Sequence, residues 1–240
     1  MNTLRILLVL AFCAHAAVAA DLSWEIGAQA RLFPHDVLDS RQHGHNGSLY
    51  IAPEFFHDWQ DGDQRLVFAP YLRWDQGDDE RTQMDLRELY WRRSFDSADL
   101  YVGVRHVFWG VTESLHLVDI VNQSDLAENL DGEDKLGQAM VQLTLLRDWG
   151  TLDLFVLPYF RERRFPGIEG RPRAPFVAEG VVYEADAEEW NPDIAVRWSH
   201  ILGDFDVGLG HFYGTSREPR FALHGDGLAA YYDLLHQSSL

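Results

Sequence analysis

What most constrains this chain is a side-chain period of two, repeated over segments of about 9 to 12 residues. An extended backbone sends successive side chains to opposite faces, so this period builds strands with one apolar and one polar face. From 21 to 33, Trp24, Ile26, Ala28, Ala30 and Leu32 alternate with Ser23, Glu25, Gly27, Gln29 and Arg31. From 65 to 74, Leu66, Phe68, Pro70, Leu72 and Trp74 alternate with Arg65, Val67, Ala69, Tyr71 and Arg73. In 100–108, Leu100, Val102 and Val104 alternate with Tyr101, Gly103 and Arg105. In 151–161, Leu152, Leu154, Val156, Pro158 and Phe160 alternate with Thr151, Asp153, Phe155, Leu157, Tyr159 and Arg161. Less regular strands fit 48–58, 84–94, 139–147, 191–201 and 205–214, and another begins near Gly227. Segments of this length suit a tilted strand crossing a bilayer and exceed the ordinary soluble strand.

The connections sort by parity. Tight turns at 60–63, 96–98, 148–150 and 202–204 alternate with long excursions at 34–47, 75–83, 109–138, 162–190 and 215–226. Short turns on one rim and long loops on the other are the habit of an outer-membrane barrel. The expected fold is all-β: an antiparallel up-and-down transmembrane β-barrel with nine or ten strands, long outer loops and short periplasmic turns. Nine strands are complete by residue 214, and the tenth has little room before Leu240. Residues 234–240 offer no terminal strand ending in an aromatic residue. Open edges leave ladder groups unpaired in lipid, so the expectation is a barrel domain over 21–240 that is truncated at its C-terminus.

The first 20 residues read as a cleaved export signal: Arg5, an apolar run from Ile6 to Ala14, and small residues from Ala17 to Ala20. The apolar run is too short for a membrane helix, and nothing later reaches that length. The one cysteine, Cys13, lies inside the signal, so the mature chain carries no disulfide. Aromatic residues make up 13%, with eight tryptophans, which suits girdles at membrane interfaces. A formal charge of −18 argues against nucleic acid as a partner. The expected location is the outer membrane, reached through the periplasm, with lipid, lipopolysaccharide and small solutes as partners; a homo-oligomer stays open. Lys135 is the only lysine among 20 basic residues, a bias toward the permanently charged, rigid guanidinium.

If the apolar rows meet lipid, the opposite parity lines a lumen. That places Arg31, Arg65, Arg73, Arg105, Arg161 and Arg197 with Asp153 on the pore wall, alongside Glu25, Glu54, Asp193 and Asp206. A charge on the lipid face costs about 2 to 4 kcal/mol at mid-bilayer, which enforces the parity. Either the lumen groups line a water-filled pore, or they pair with one another and fill the interior. Segment 84–94 resists the sorting: Asp85 and Arg87 share one parity and Glu88 takes the other, which calls for a bulge or for an outer face against protein. The longest loop, 109–138, carries Glu113, His116, Asp119, Asn122, Asp125, Glu128, Asp131, Glu133 and Asp134 together with Val111, Leu115, Val118, Ile120 and Val121. A loop with its own apolar residues must bury them. It is expected either to fold inward as a constriction, with Glu113, Asp119, Asn122 and Asp125 facing the arginines, or to pack among the outer loops.

The stretch 102–122, VGVRHVFWGVTESLHLVDIVN, followed by KLGQAMVQLTLLRDWGTLDLFVLPYFRERRFPG, resembles a group of uncharacterised porin-like outer-membrane proteins of proteobacteria. In that group a strand ending in G-x-R runs into a WG turn and a long loop with a D-x-x-N element. The matching positions are Gly103, Arg105, Trp109, Gly110, Asp119 and Asn122, and DIAVRW at 193–198 and HFYGTSREP at 211–219 look like later strands of the same group. The resemblance covers most of the mature chain and implies a longer barrel.

No HExxH, CxxC, GxSxG or phosphate loop occurs in a usable context, so neither covalent catalysis nor a cofactor is expected. His43 and His45 hold a metal only with ligands from elsewhere, and the acidic runs lack calcium-loop spacing, so no metal is assigned. The leading expectation is a channel for small solutes. The alternatives are a soluble periplasmic β-sandwich or binding module, and a barrel-type outer-membrane hydrolase built around Ser48 or Ser199.

Overall fold

The computed structural model describes residues 8–9, 20–109, 118–178, 180–224 and 227–240. In chain order its strands are β1 (Leu8–Val9), β2 (Ala20–Leu32), β3 (His45–Trp59), β4 (Gln64–Asp75), β5 (Gln83–Phe95), β6 (Ala98–Arg105) and β7 (Gln138–Arg147). They continue with β8 (Gly150–Leu157), β9 (Gly180–Tyr183), β10 (Asp193–Leu202), β11 (Phe205–Thr215), β12 (Arg220–His224), β13 (Gly227–Tyr232) and β14 (Leu234–Ser239). The chain is all-β: among the described residues only Asp79–Arg81 and Glu188–Trp190 turn helically. No helix among them is long and apolar enough to cross a membrane, which leaves crossing by strands untouched.

Eleven strands form one antiparallel sheet in the order β1-β2-β3-β4-β5-β6-β7-β8-β10-β11-β14. It is a meander in which nearly every strand pairs with its sequence neighbour. β9, β12 and β13 leave it to form a separate three-stranded sheet over the loop side. Among the described residues no ladder joins β14 back to β2, so the sheet is open rather than a closed barrel. The tight turns fall where the alternation stops, and Gln60 and Asp61 take left-handed backbone in the first of them.

Several expected boundaries shift. β6 stops at Arg105 and β8 at Leu157, short of 108 and 161. Pro158 has no N–H for a ladder, which marks the second limit. The strand beginning at Gly227 belongs to the small sheet, and it is Leu234–Ser239 that pairs with β11 to extend the large one. The expectation of no strand over 234–240 is thus corrected: its HQSS tail hides a strand whose partner, not its own pattern, sets it. The expected signal falls mostly outside the described residues.

Directly paired residues share a face. Through Trp24↔Pro53, Ile51↔Leu72, Phe68↔Leu89, Val102↔Val141 and Leu154↔Val196 the apolar rows merge into one continuous face. That face is exposed. Leu49, Trp74 and Ile194 are each more than half exposed, and Ile26, Phe68, Val102, Val156 and Leu209 are exposed too. The opposite, inner face is covered: Val67, Tyr71, Met140, Phe155, Leu157, Ala195 and Phe212 are buried on it.

The difficult segment 84–94 is reconciled by a bulge. Ala69 pairs with Glu88 and Pro70 with Leu86, leaving Arg87 as the extra residue on β5. The slip turns Leu86 and Met84 outward while Asp85 and Glu88 both fall on the inner face. Arg87 then lies over the inner-face ring of Tyr71, 3.8 Å from its centroid.

Candidate functional site

Residues 118–137 fold over the inner face. Ile120, Val121 and Trp109 bury themselves against Met140, Phe155, Leu157, Ala195 and Phe212 of β7, β8, β10 and β11. Trp109 meets Phe155 with ring centroids 5.4 Å apart. The loop's apolar residues thereby leave water for the apolar part of the inner face.

Two anchors fix the loop's shoulders. Asn122, fully buried, accepts the N–H of Val107 through Oδ1 at 2.8 Å and donates from Nδ2 to the carbonyls of Arg105 (2.8 Å) and Leu136 (2.9 Å). It therefore terminates β6 and closes the loop; it does not face a passage. At the far side Arg217 pairs with Asp193 at 2.7 Å and donates through Nη2 to the Val121 carbonyl at 3.0 Å, between the rings of Phe160 and Phe212. Burial lowers the pKa of Arg217, and the Asp193 carboxylate opposes that shift.

Apart from these anchors, a charged network gathers on β3 and β4. Arg73 reaches Glu128 of the loop and donates to Ser48 Oγ (2.7 Å) and Tyr71 Oη (2.8 Å). Arg81 pairs with Asp75 at 2.6 Å and donates to the Glu128 carbonyl (3.1 Å) and Gln29 Oε1 (2.8 Å). Gln83 Nε2 donates to Asp125 (3.1 Å) and Glu128 (3.3 Å), and Arg164 meets Asp125 at 3.3 Å. Arg73, Arg81, Asp75, Asp125 and Glu128 are all buried. Removing any one partner from such a set strands a charge in low dielectric, at about 3 to 5 kcal/mol.

The expected wall residues fare differently. Arg31, on the inner face, donates to Asn129 at 3.2 Å. Arg65 clasps Asp58 with two bonds of 2.6 Å and lies over Phe56. Arg105 lies against Tyr101 and Tyr90 and donates to Gln142. Arg197 and Asp153 face each other in the ladder, where Asp153 accepts from Thr144 at 2.6 Å. Arg161 is beyond β8, not on a wall strand, and ties Asp85 (2.7 Å) to the Gly137 carbonyl (2.9 Å). Of the constriction residues, Asp125 meets the network, Asp119 faces Lys135 at 3.9 Å rather than an arginine, and Glu113 lies outside the described residues. The arginines of the 158–178 excursion are engaged internally: Arg163 with Glu218, Arg173 with Asp39, and Arg171 with the His35 carbonyl.

Asp78 and His106, both outside the strands, also carry shifted pKa values. Asp78 accepts N–H groups of Glu80 and Gly167, each at 3.1 Å, joining the 76–82 turn to the 158–178 excursion. Burial nevertheless outweighs these bonds and raises its pKa to about 6. Burial also brings His106 down to about 4, so its ring is neutral at physiological pH. Next to the network, a cavity of about 760 Å³ opens among Arg31, Asn46, Arg81, Glu128, Asn129 and Arg171 at the loop end of the sheet.

Sequence reasoning missed Arg81, Arg92 and Arg217. Arg81 closes the acidic run 75–80, a signal for pairing that was legible; Arg217 had none, because its partners Asp193 and Val121 come from distant segments. Among the described residues no group of three or more His, Cys, Asp or Glu side chains is placed to hold a metal. Searches against protein-family models, curated proteins and solved structures returned no match for this chain.

Proposed function

We propose that this chain forms the wall of an outer-membrane channel of the porin-like kind, passing small solutes along a charged inner face narrowed by residues 118–137. One observation carries the reading: the apolar rows of nine adjoining strands, β2 to β8, β10 and β11, merge into an exposed face, while the charged rows lie beneath a folded-in loop. In water such an apolar face is unfavourable and sticky; in lipid it is the required surface. The buried ion pairs make the loop a fixed constriction, because moving it would separate Glu128 from Arg73 and Arg81.

The test is direct. A variant that keeps Trp74 as its sole tryptophan, reconstituted in vesicles, is expected to lose most of its fluorescence to brominated acyl chains. Purified protein is expected to give stepwise conductance in planar bilayers. A chain that stays monodisperse without detergent, with Trp74 unquenched, would exclude the reading.

A further inference from the structure

The arginines of the interior differ in how they are matched. Arg65, Arg73, Arg81 and Arg161 each hold a carboxylate. Arg92 and Arg105 form no ion pair among the described residues. Arg92 donates through Nη2 to the Gly62 carbonyl at 2.9 Å, and Arg105 through Nη1 to the Gln142 amide oxygen. The Nε–H of each is buried without any acceptor. Those Nε–H groups are closed off from any ligand, but the Nη1 of Arg92 and the Nη2 of Arg105 carry no hydrogen bond among the described residues and are left to meet an acceptor.

Their placement makes one site. Arg92 stands directly across the ladder from Tyr101, and the Arg105 guanidinium lies 3.8 Å from the centroid of the same ring and 4.7 Å from that of Tyr90. Gly103, between Arg105 and Tyr101 on that face, has φ +137°, and a Cβ there would collide with the Leu89 carbonyl. Arg65 is the cross-strand neighbour of Arg92, so three guanidinium groups gather where like charges repel. Of the surrounding carboxylates, Asp58 is held by Arg65 and Asp153 by Thr144 and Gln142; Glu88 and Asp99 lie nearby without pairing to either arginine.

We propose that Arg92, Arg105 and Tyr101 form a binding site for a small organic carboxylate, preferably one with a flat apolar body. A guanidinium stacked on a ring keeps its remaining in-plane N–H groups directed sideways, where one such group from each arginine matches the two oxygens of a carboxylate. The tilted pair Tyr90 and Tyr101, 6.0 Å apart, offers aromatic surface to the rest of the molecule. This rests on the channel reading and names its solute class.

The experiment titrates benzoate into the full chain in detergent micelles, by calorimetry and saturation-transfer NMR, with acetate, phosphate and benzylammonium as comparison arms. Benzoate is expected to saturate one site more tightly than the other three. Arg92→Gln and Arg105→Gln are each expected to weaken it at least about tenfold, with Arg105→Lys intermediate and Arg93→Gln, on the outward face, without effect. Gel migration and circular dichroism establish that each variant folds. Equal binding by Arg105→Gln, or benzoate no tighter than benzylammonium or phosphate, overturns the proposal. Planar-bilayer current is scored separately: current without benzoate binding sinks this site alone, and binding without current sinks the channel alone.

Discussion

Asn122 shows how much one side chain can decide. Its amide spans the end of β6 and both ends of the loop with three hydrogen bonds, in a position with no access to water. Asn122→Ala leaves one N–H and two carbonyls without partners, so a loss of about 2 to 4 kcal/mol is expected, read as a lowered urea midpoint in detergent. Asp78 tests a different balance. Its folded pKa of about 6 exceeds the ordinary 3.8, so between those values the folded state holds a proton that the unfolded chain has released. Stability from this turn therefore rises as pH falls through 6 and is lowest above it. Thermal unfolding of wild type is expected to improve from pH 7.5 to pH 5, and Asp78→Asn is expected to remove most of that slope. A slope unchanged in the variant would place the titration elsewhere.

At the scale of elements, β5 carries the clearest lesson. Its alternation fails in the sequence because Arg87 is an inserted residue, and the failure itself located the bulge. Deleting Arg87 removes the extra residue and leaves an unbroken period in which Leu86 and Met84 stay outward and Asp85 stays inward. Folding yield and gel migration in detergent are therefore expected to stay close to wild type, with the Arg161–Asp85 pair kept; a severalfold fall in yield would mean that the bulge itself is required. The other strands were legible because backbone geometry alone enforces their period. β9, β12 and β14 were not: each has six residues or fewer, and each is a strand only because a partner lies beside it, β13 for the first two and β11 for the last.

For the molecule as a whole, the sequence exposed the sheet and the sign of its two faces, since a misplaced charge on an apolar row is costly at every position. It also required the apolar residues of 118–121 to be buried somewhere. It did not disclose which arginines would be matched, because Glu128 with Arg73 and Asp193 with Arg217 join segments whose proximity is a property of the assembled sheet. The clasp of Arg217 on the Val121 carbonyl spans 96 positions of the chain. Its consequence is temporal. A chain that emerges from its N-terminal end presents β4 before Glu128 exists to neutralise Arg73, whereas Arg81 already has Asp75, and it presents the loop before Arg217 exists to pin it. An early hairpin therefore carries a naked cation while it waits, and the interior locks only once β11 and the turn after it have been laid down.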